Sequence, residues 1–151
     1  MRLLNMWAAA ALALAAFGTA SADLPGKHPY YLHALSDLRA ARWMLSHRPG
    51  DQAVSAQEDV AITEINKAIG EIKHAAIDDG KNVEDHPAMD VPADARGRLH
   101  KALEILNKVH SDVAREEDDP LTRQLRDKAV VHIDAAIGAT QGAISAVETH
   151  R

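Results

Sequence analysis

The sequence contains no cysteine among its 151 residues. This absence excludes disulfide bonds, thiolate metal sites, c-type haem attachment and a lipid anchor on cysteine. Aromatic residues make up only 3% of the chain, so a core built on large rings is excluded as well. The apolar packing must instead come from alanine, leucine and isoleucine.

The chain also lacks an excess of positive charge. Lysine and arginine together number 17 against 22 aspartates and glutamates, which gives a net charge of −5. Nucleic acids and anionic membranes both bind basic faces. The charge balance therefore predicts no nucleic-acid partner. The length fits one domain, or one domain and a removable segment.

The first 22 residues have the three parts of a secretory signal. Arg2 supplies the positive start, residues 7–17 form an uninterrupted apolar run, and Ala20 and Ala22 flank a cleavage site. The run is too short to cross a bilayer as a helix. We expect cleavage after Ala22, a mature domain over residues 23–151 and a periplasmic or secreted location. Charges interrupt the later stretches, so we expect no membrane span after signal cleavage.

Apolar residues at helical spacing predict four helices in the mature chain. Glycine and proline separate them into residues 29–47, 57–79, 92–116 and 120–147. Ser55 and Glu58 have the spacing of a capping box at the start of the second helix. Two tight connections and one longer loop predict an all-α, up-down-up-down four-helix bundle.

Nine histidines make the chain histidine-rich. Imidazole is the commonest metal ligand, and it changes charge close to neutral pH, so metal binding and a response to acid are both hypotheses. A helical wheel sorts six of them. It predicts a surface position for His33, His47, His74 and His100, and a position at the core margin for His110 and His132.

Four further residues fall at one end of the predicted bundle: His28, His86, Met89 and His150. Histidine, methionine and nearby carboxylates suit copper or zinc in the absence of thiolates. The pattern predicts a site for Cu, Zn or Ni, with a polar loop and a chain terminus that bind nothing as the alternative.

A second polar group is predicted inside the bundle. Arg42 interrupts the apolar stripe of the first helix, Glu58 lies near the centre of the second stripe, and His110 borders the third. In an up-down-up-down bundle these three residues share one height. A buried arginine–carboxylate network that fixes helix register is one interpretation; a small metal site or a proton-responsive switch is the other.

No pattern in the chain indicates catalysis. There is no glycine-rich phosphate loop and no serine in a nucleophile motif. Glu71 and His74 have the Glu-x-x-His spacing of di-iron bundles, but that chemistry requires two such pairs and two further inward carboxylates. Leu32 and Trp43 lie on the outward face of the first helix, where they predict an apolar patch for a partner or a homodimer.

Three segments resemble parts of small exported bacterial helical-bundle proteins that have no assigned function. They are residues 28–39 (HPYYLHALSDLR), 75–82 (AAIDDGKN) and 115–119 (REEDD). The resemblance covers most of the mature chain, and it implies export and a helical bundle, with no catalytic residues to carry over.

These observations lead to two functional hypotheses. The first is a non-enzymatic exported binding or accessory protein of the cell envelope, with no cofactor and with an envelope protein or a second copy as its partner. The alternative is a histidine-based protein that binds or buffers Cu, Zn or Ni.

Overall fold

The computed structural model describes residues 30–47, 54–78, 80, 82–83, 97–115, 117 and 119–149. These residues form four α-helices, and no described residue lies in a β-strand. The helices are α1 (Tyr31–Ser46), α2 (Ala56–Asp78), α3 (Arg98–Val113) and α4 (Pro120–Thr149). The predicted all-α class with four helices is therefore confirmed. The signal peptide predicted over residues 1–22 lies outside the described residues.

Side chains that the sequence marks as caps begin two of the helices. The Ser55 backbone N–H donates to the Glu58 carboxylate at 2.7 Å, and the Glu58 N–H donates to the Ser55 hydroxyl at 3.3 Å. This reciprocal pair satisfies backbone groups that the first turn of α2 leaves open. At the start of α4, the Asp119 carboxylate accepts the backbone N–H of Leu121 at 2.9 Å and that of Thr122 at 3.0 Å. The capping box predicted from Ser55 and Glu58 is confirmed, and Asp119 caps α4 in addition.

The ends of α3 differ from the prediction. The helix begins at Arg98 with Gly97 as its N-cap, and the predicted helical positions 92–96 lie outside the described residues. At the other end α3 stops at Val113, three residues before the predicted end. There the backbone N–H of Ala114 donates to the carbonyl of His110 at 2.9 Å and closes the last turn.

Hydrogen bonds at both ends of α1 show that it runs antiparallel to α3. The Tyr31 hydroxyl at the start of α1 donates to Glu117, just past the end of α3, at 2.8 Å. At the end of α1, Arg98, the first residue of α3, donates to the carbonyl of Met44 at 2.9 Å. The same guanidinium bonds Glu58 near the start of α2. α2 therefore starts beside the end of α1 and runs antiparallel to it as well.

α4 runs antiparallel to both of its neighbours. The side chain of Gln57, near the start of α2, lies against Gly142, late in α4. On the other side, His100 near the start of α3 pairs with Glu148 near the end of α4. The helix pairs in contact are α1–α2, α1–α3, α2–α4 and α3–α4, so α1 and α4 lie on one diagonal of the bundle.

The helix directions are therefore up-down-down-up, and the predicted up-down-up-down order is wrong at the third helix. α2 ends where α1 begins, whereas α3 begins at the opposite end of the bundle. The connection over residues 79–97 spans up to about 60 Å when extended, against a length of about 35 Å for α2. A long connection allows this order, and an apolar stripe carries no information about helix direction.

The core between the four helices consists mainly of leucine, isoleucine and alanine, as predicted. Alanines such as Ala61, Ala68, Ala102 and Ala136 are fully buried, and their small side chains let the helices pack closely. The largest fully buried apolar side chains are Tyr31, Leu32, Leu35, Leu38, Leu45, Ile65, Ile72, Ile105, Leu106 and Ile133.

α4 is long and apolar enough to cross a membrane, judged by its length and composition alone. Its most apolar 18-residue window holds at most two charged side chains, so the expectation that charges interrupt every later stretch is wrong for this helix. The core helix of a soluble bundle has the same composition, and α4 contributes Ala129, Ile133 and Ala136 to the shared core. The absence of a membrane span in the mature chain stays a prediction.

Candidate functional site

The buried carboxylate of Glu58 is paired with Arg98. Glu58 is 0% exposed, and one guanidinium nitrogen of Arg98 donates to it. A second nitrogen of the same guanidinium donates to the carbonyls of Met44 at 2.9 Å and Leu45 at 3.3 Å. One cation thus joins the end of α1 to the starts of α2 and α3.

The bonds around Glu58 keep it charged. Burial raises the pKa of its carboxyl, but the hydrogen bonds from Ser55 and Arg98 outweigh burial, and the pKa of Glu58 lies below its ordinary value. A buried ion pair with satisfied hydrogen bonds fixes the arrangement of the elements that it joins. This network therefore has a structural role at one end of the bundle.

The structure does not bring the predicted partners Arg42 and His110 to Glu58. Arg42 is exposed and donates to the side-chain oxygen of Asn66 on α2 at 2.8 Å. His110 lies 3.3 Å from a carboxylate oxygen of Asp134 on α4. Because α3 starts beside Glu58 and runs away from it, His110 lies about 18 Å farther along that helix. The predicted cluster required the opposite direction for α3.

Sequence reasoning missed Arg98, because the helix predicted over residues 92–116 placed it in the helix interior and not in the first turn. Arg98 is a cation in the first turn of a helix, where the helix dipole disfavours positive charge. A cation at such a position indicates a specific anionic partner. Arg42 is the arginine predicted to pair with Glu58, because it interrupts an apolar stripe, but it is exposed and bonds Asn66 instead.

Histidine–carboxylate pairs connect α4 to both of its neighbours. The pair between His132 and Glu64 of α2 is the shortest, at 2.7 Å, and both side chains are partly buried. The pairs of Asp134 with His110 and of Glu148 with His100 join α4 to α3 at 3.3 Å and 3.8 Å. The wheel placed His110 and His132 at the core margin, and both are half-buried.

The carboxylate of Glu64 predicts how stability changes in acid. Hydrogen bonds from Lys67 and then from His132 lower the pKa of Glu64 below its ordinary value of 4.5. The stability that these bonds supply is fully present above pH 4.5, and it is lost as the pH falls through the lowered pKa. In denaturant titrations between pH 5 and pH 3, we expect a shallower loss of unfolding free energy in Glu64→Gln than in the wild type. Glu71→Gln controls for the loss of a charge on the same helix, and a wild-type slope in Glu64→Gln would contradict the assignment.

The described residues contain no group of three or more histidine, cysteine, aspartate or glutamate side chains placed to hold a metal ion. His74, the histidine of the single Glu-x-x-His pair, is exposed on α2. The predicted ligands His28, His86, Met89 and His150 all lie outside the described residues. The Cu, Zn or Ni site therefore stays a prediction from the sequence.

Trp43, near the end of α1, is exposed and yet held in place. Its side chain is 59% exposed, and its ring stacks on the ring of His47, with centroids 4.5 Å apart and planes 20° from parallel. A ring nitrogen of His47 bonds the backbone carbonyl of Trp43 at 2.9 Å, and the Ser46 hydroxyl donates to the same carbonyl at 3.0 Å. The bond from His47 to this carbonyl, and the Ser46 hydroxyl 2.9 Å from the same ring nitrogen, position the imidazole against which the indole packs.

Leu32 does not share an exposed patch with Trp43, which corrects the prediction. Leu32 is 1% exposed and belongs to the buried apolar cluster. A helical wheel reports the position of a side chain on its own helix, whereas burial depends on what packs against that helix. Trp43 alone remains as the outward apolar side chain of this pair.

Comparison with known proteins gives no match of the chain to a family model, to a curated protein or to a solved structure. The function is therefore argued from the residues. Arg42, Trp43 and His47 are all exposed at the end of α1, and these three residues are called the Trp43 surface below.

Proposed function

We propose that this protein is a non-enzymatic, exported binding protein of the cell envelope, and that Trp43 is its point of contact with a protein partner. The observation that carries the proposal is the exposed indole ring held against His47. Tryptophan is among the residue types most enriched at the energetic centres of protein interfaces. A ring that is already ordered loses little conformational entropy on binding.

The other exposed apolar side chains do not share these properties. Among the described residues these side chains are all aliphatic, namely Val60, Ile77, Leu121, Val131 and Val147. Exposed aliphatic residues are ordinary on the surfaces of soluble proteins. Trp43 combines a larger apolar area with a defined orientation. That combination favours it as the anchor.

Export of the protein is part of the same proposal. It rests on the apolar run over residues 7–17 and on the cleavage site that ends at Ala22. The resemblance of residues 28–39, 75–82 and 115–119 to small exported bacterial bundles supports the same location. A partner of this protein is then a component of the envelope.

Photocross-linking in cells tests the proposed contact. A benzophenone amino acid replaces Trp43 in one strain and Leu121 in another, since Leu121 is equally exposed but lies at the start of α4. We expect one discrete adduct from position 43 that position 121 does not give, with a peptide mass identifying an envelope protein. No adduct from position 43, or the same adduct from both positions, would overturn the proposal. An adduct of twice the monomer mass would replace the envelope partner by a second copy.

A folding control accompanies the cross-linking. Trp43 is mostly exposed, so we expect Trp43→Ala to change the free energy of unfolding by no more than about 0.5 kcal/mol. Loss of an adduct that depends on Trp43 would then report loss of binding and not loss of the fold.

A further inference from the structure

We infer that the partner presents an acidic segment to the Trp43 surface, with a carboxylate on Arg42 and apolar atoms against the indole ring. This inference rests on the proposed function and adds the chemistry of the partner to it. It follows from how charge is distributed on and around α1.

The solvent-facing side of α1 carries no negative charge. The helix has one acidic residue, Asp37, and it is 0% exposed. The exposed residues at the end of the helix include Arg42, Trp43 and His47. An acidic ligand that approaches this surface therefore meets no like charge from α1.

The charge of Arg42 is not neutralised by the α2 residues beside it. Its guanidinium donates to Asn66, whose side chain is a neutral amide. On a helix surface, the neighbours of a residue are those three and four positions away. For Asn66 these are uncharged, namely Ile62, Thr63, Ile69 and Gly70.

The net charge of the whole chain is opposite in sign to the charge of Arg42. With a net charge of −5, the protein as a whole repels an acidic segment, so binding of such a segment would depend on a local cation such as Arg42. Electrostatic complementarity of this kind selects partners and their orientation more than it adds affinity.

The residue types on the Trp43 surface suit this ligand. A guanidinium offers several N–H donors in a plane and binds a carboxylate through two parallel hydrogen bonds. The bond from Arg42 to Asn66 is made by one guanidinium nitrogen, which leaves further donors on the same group. The exposed indole ring of the next residue, Trp43, provides apolar area for the aliphatic part of a glutamate or for a neighbouring leucine.

Peptide binding to the purified protein tests the inference. Trp43 is the only tryptophan in the proposed mature chain over residues 23–151, and its emission reports binding at this surface. The probes are a glutamate-rich decapeptide with a central leucine and matched peptides that carry glutamine or lysine in place of each glutamate. We expect only the glutamate peptide to change the emission, and its affinity to fall at least tenfold in Arg42→Gln and in about 0.5 M NaCl, where charges are strongly screened.

Two variants make the result specific. Arg42→Lys keeps the charge but loses the planar donors, so we expect an affinity between those of the wild type and Arg42→Gln. Lys128→Gln removes an exposed cation from α4, and we expect no change in affinity. Equal binding of the glutamine peptide, or unchanged binding in Arg42→Gln, would overturn the acidic ligand. If position 43 still gives its cross-linked partner in that case, the inference fails while the proposed function stands.

Discussion

Arg98→Ala is expected to lower the free energy of unfolding by about 3 kcal/mol. The substitution leaves the fully buried carboxylate of Glu58 without its cation, and an uncompensated buried charge is strongly destabilising. It also removes the donor to two carbonyls at the end of α1. Urea denaturation followed by circular dichroism measures the effect.

Two comparisons separate this effect from the loss of any arginine. Arg42→Ala removes an exposed arginine that bonds a neutral amide, and we expect a cost of at most about 1 kcal/mol. Replacing Arg98 by methionine and Glu58 by leucine together removes both charges, so we expect a smaller loss than that of Arg98→Ala. An unfolding free energy of Arg98→Ala within about 0.5 kcal/mol of the wild type would show that the pair does not hold the helix ends together.

Tyr31→Phe is expected to cost about 2 kcal/mol at the opposite end of the bundle. The Tyr31 hydroxyl is buried and donates to a carboxylate oxygen of Glu117 at 2.8 Å, and Glu117 is itself only 3% exposed. Hydrogen bonds to charged groups are stronger than those between neutral groups, and a buried oxygen that loses its donor keeps its desolvation cost. The same urea titration measures the loss.

Ser111→Ala provides the matched control for Tyr31→Phe. Its hydroxyl donates to the carbonyl of Asn107 at 3.1 Å on the exposed face of α3, so we expect a change within about 0.5 kcal/mol. Adding Glu117→Gln to Tyr31→Phe removes the buried charge, and we expect it to restore part of the lost stability. Equal effects of Tyr31→Phe and Ser111→Ala would contradict a role for the buried bond.

The local features of the fold follow from short stretches of sequence. Ser55 and Glu58 form a capping box because the two residues are three positions apart at the start of an apolar pattern. The leucine, isoleucine and alanine core follows from helical spacing, because residues three and four positions apart share one face. Neither feature depends on how the helices are arranged in space.

Features that depend on the arrangement were not predictable in the same way. The direction of α3 is decided by the path of a long connection, and no periodic pattern within a helix records that path. An up-down-up-down order puts His110 at the height of Glu58, whereas the observed direction of α3 puts Arg98 there. Leu32 shows the same limit, since its burial depends on what covers α1.

The exposed aromatic residue of the candidate site was predictable, but its surroundings were not. The wheel places Trp43 on the outward face, and the structure leaves it 59% exposed. The stacking on His47 and the bond from Arg42 to Asn66 depend on side-chain geometry across a helix end and between two helices. The stacking orients the exposed indole ring, and the bond to Asn66 positions the charge of Arg42.

We propose that Trp43 joins this protein to a partner in the envelope. Gel filtration of a native envelope extract, with the protein followed by antibody, tests it most directly in wild type, Trp43→Phe and Trp43→Ala. We expect the wild type to elute as a complex larger than the free mature protein, Trp43→Phe to retain most of that complex, and Trp43→Ala to elute at the size of the free mature protein. Elution of the wild type and Trp43→Ala at the same position would contradict the claim.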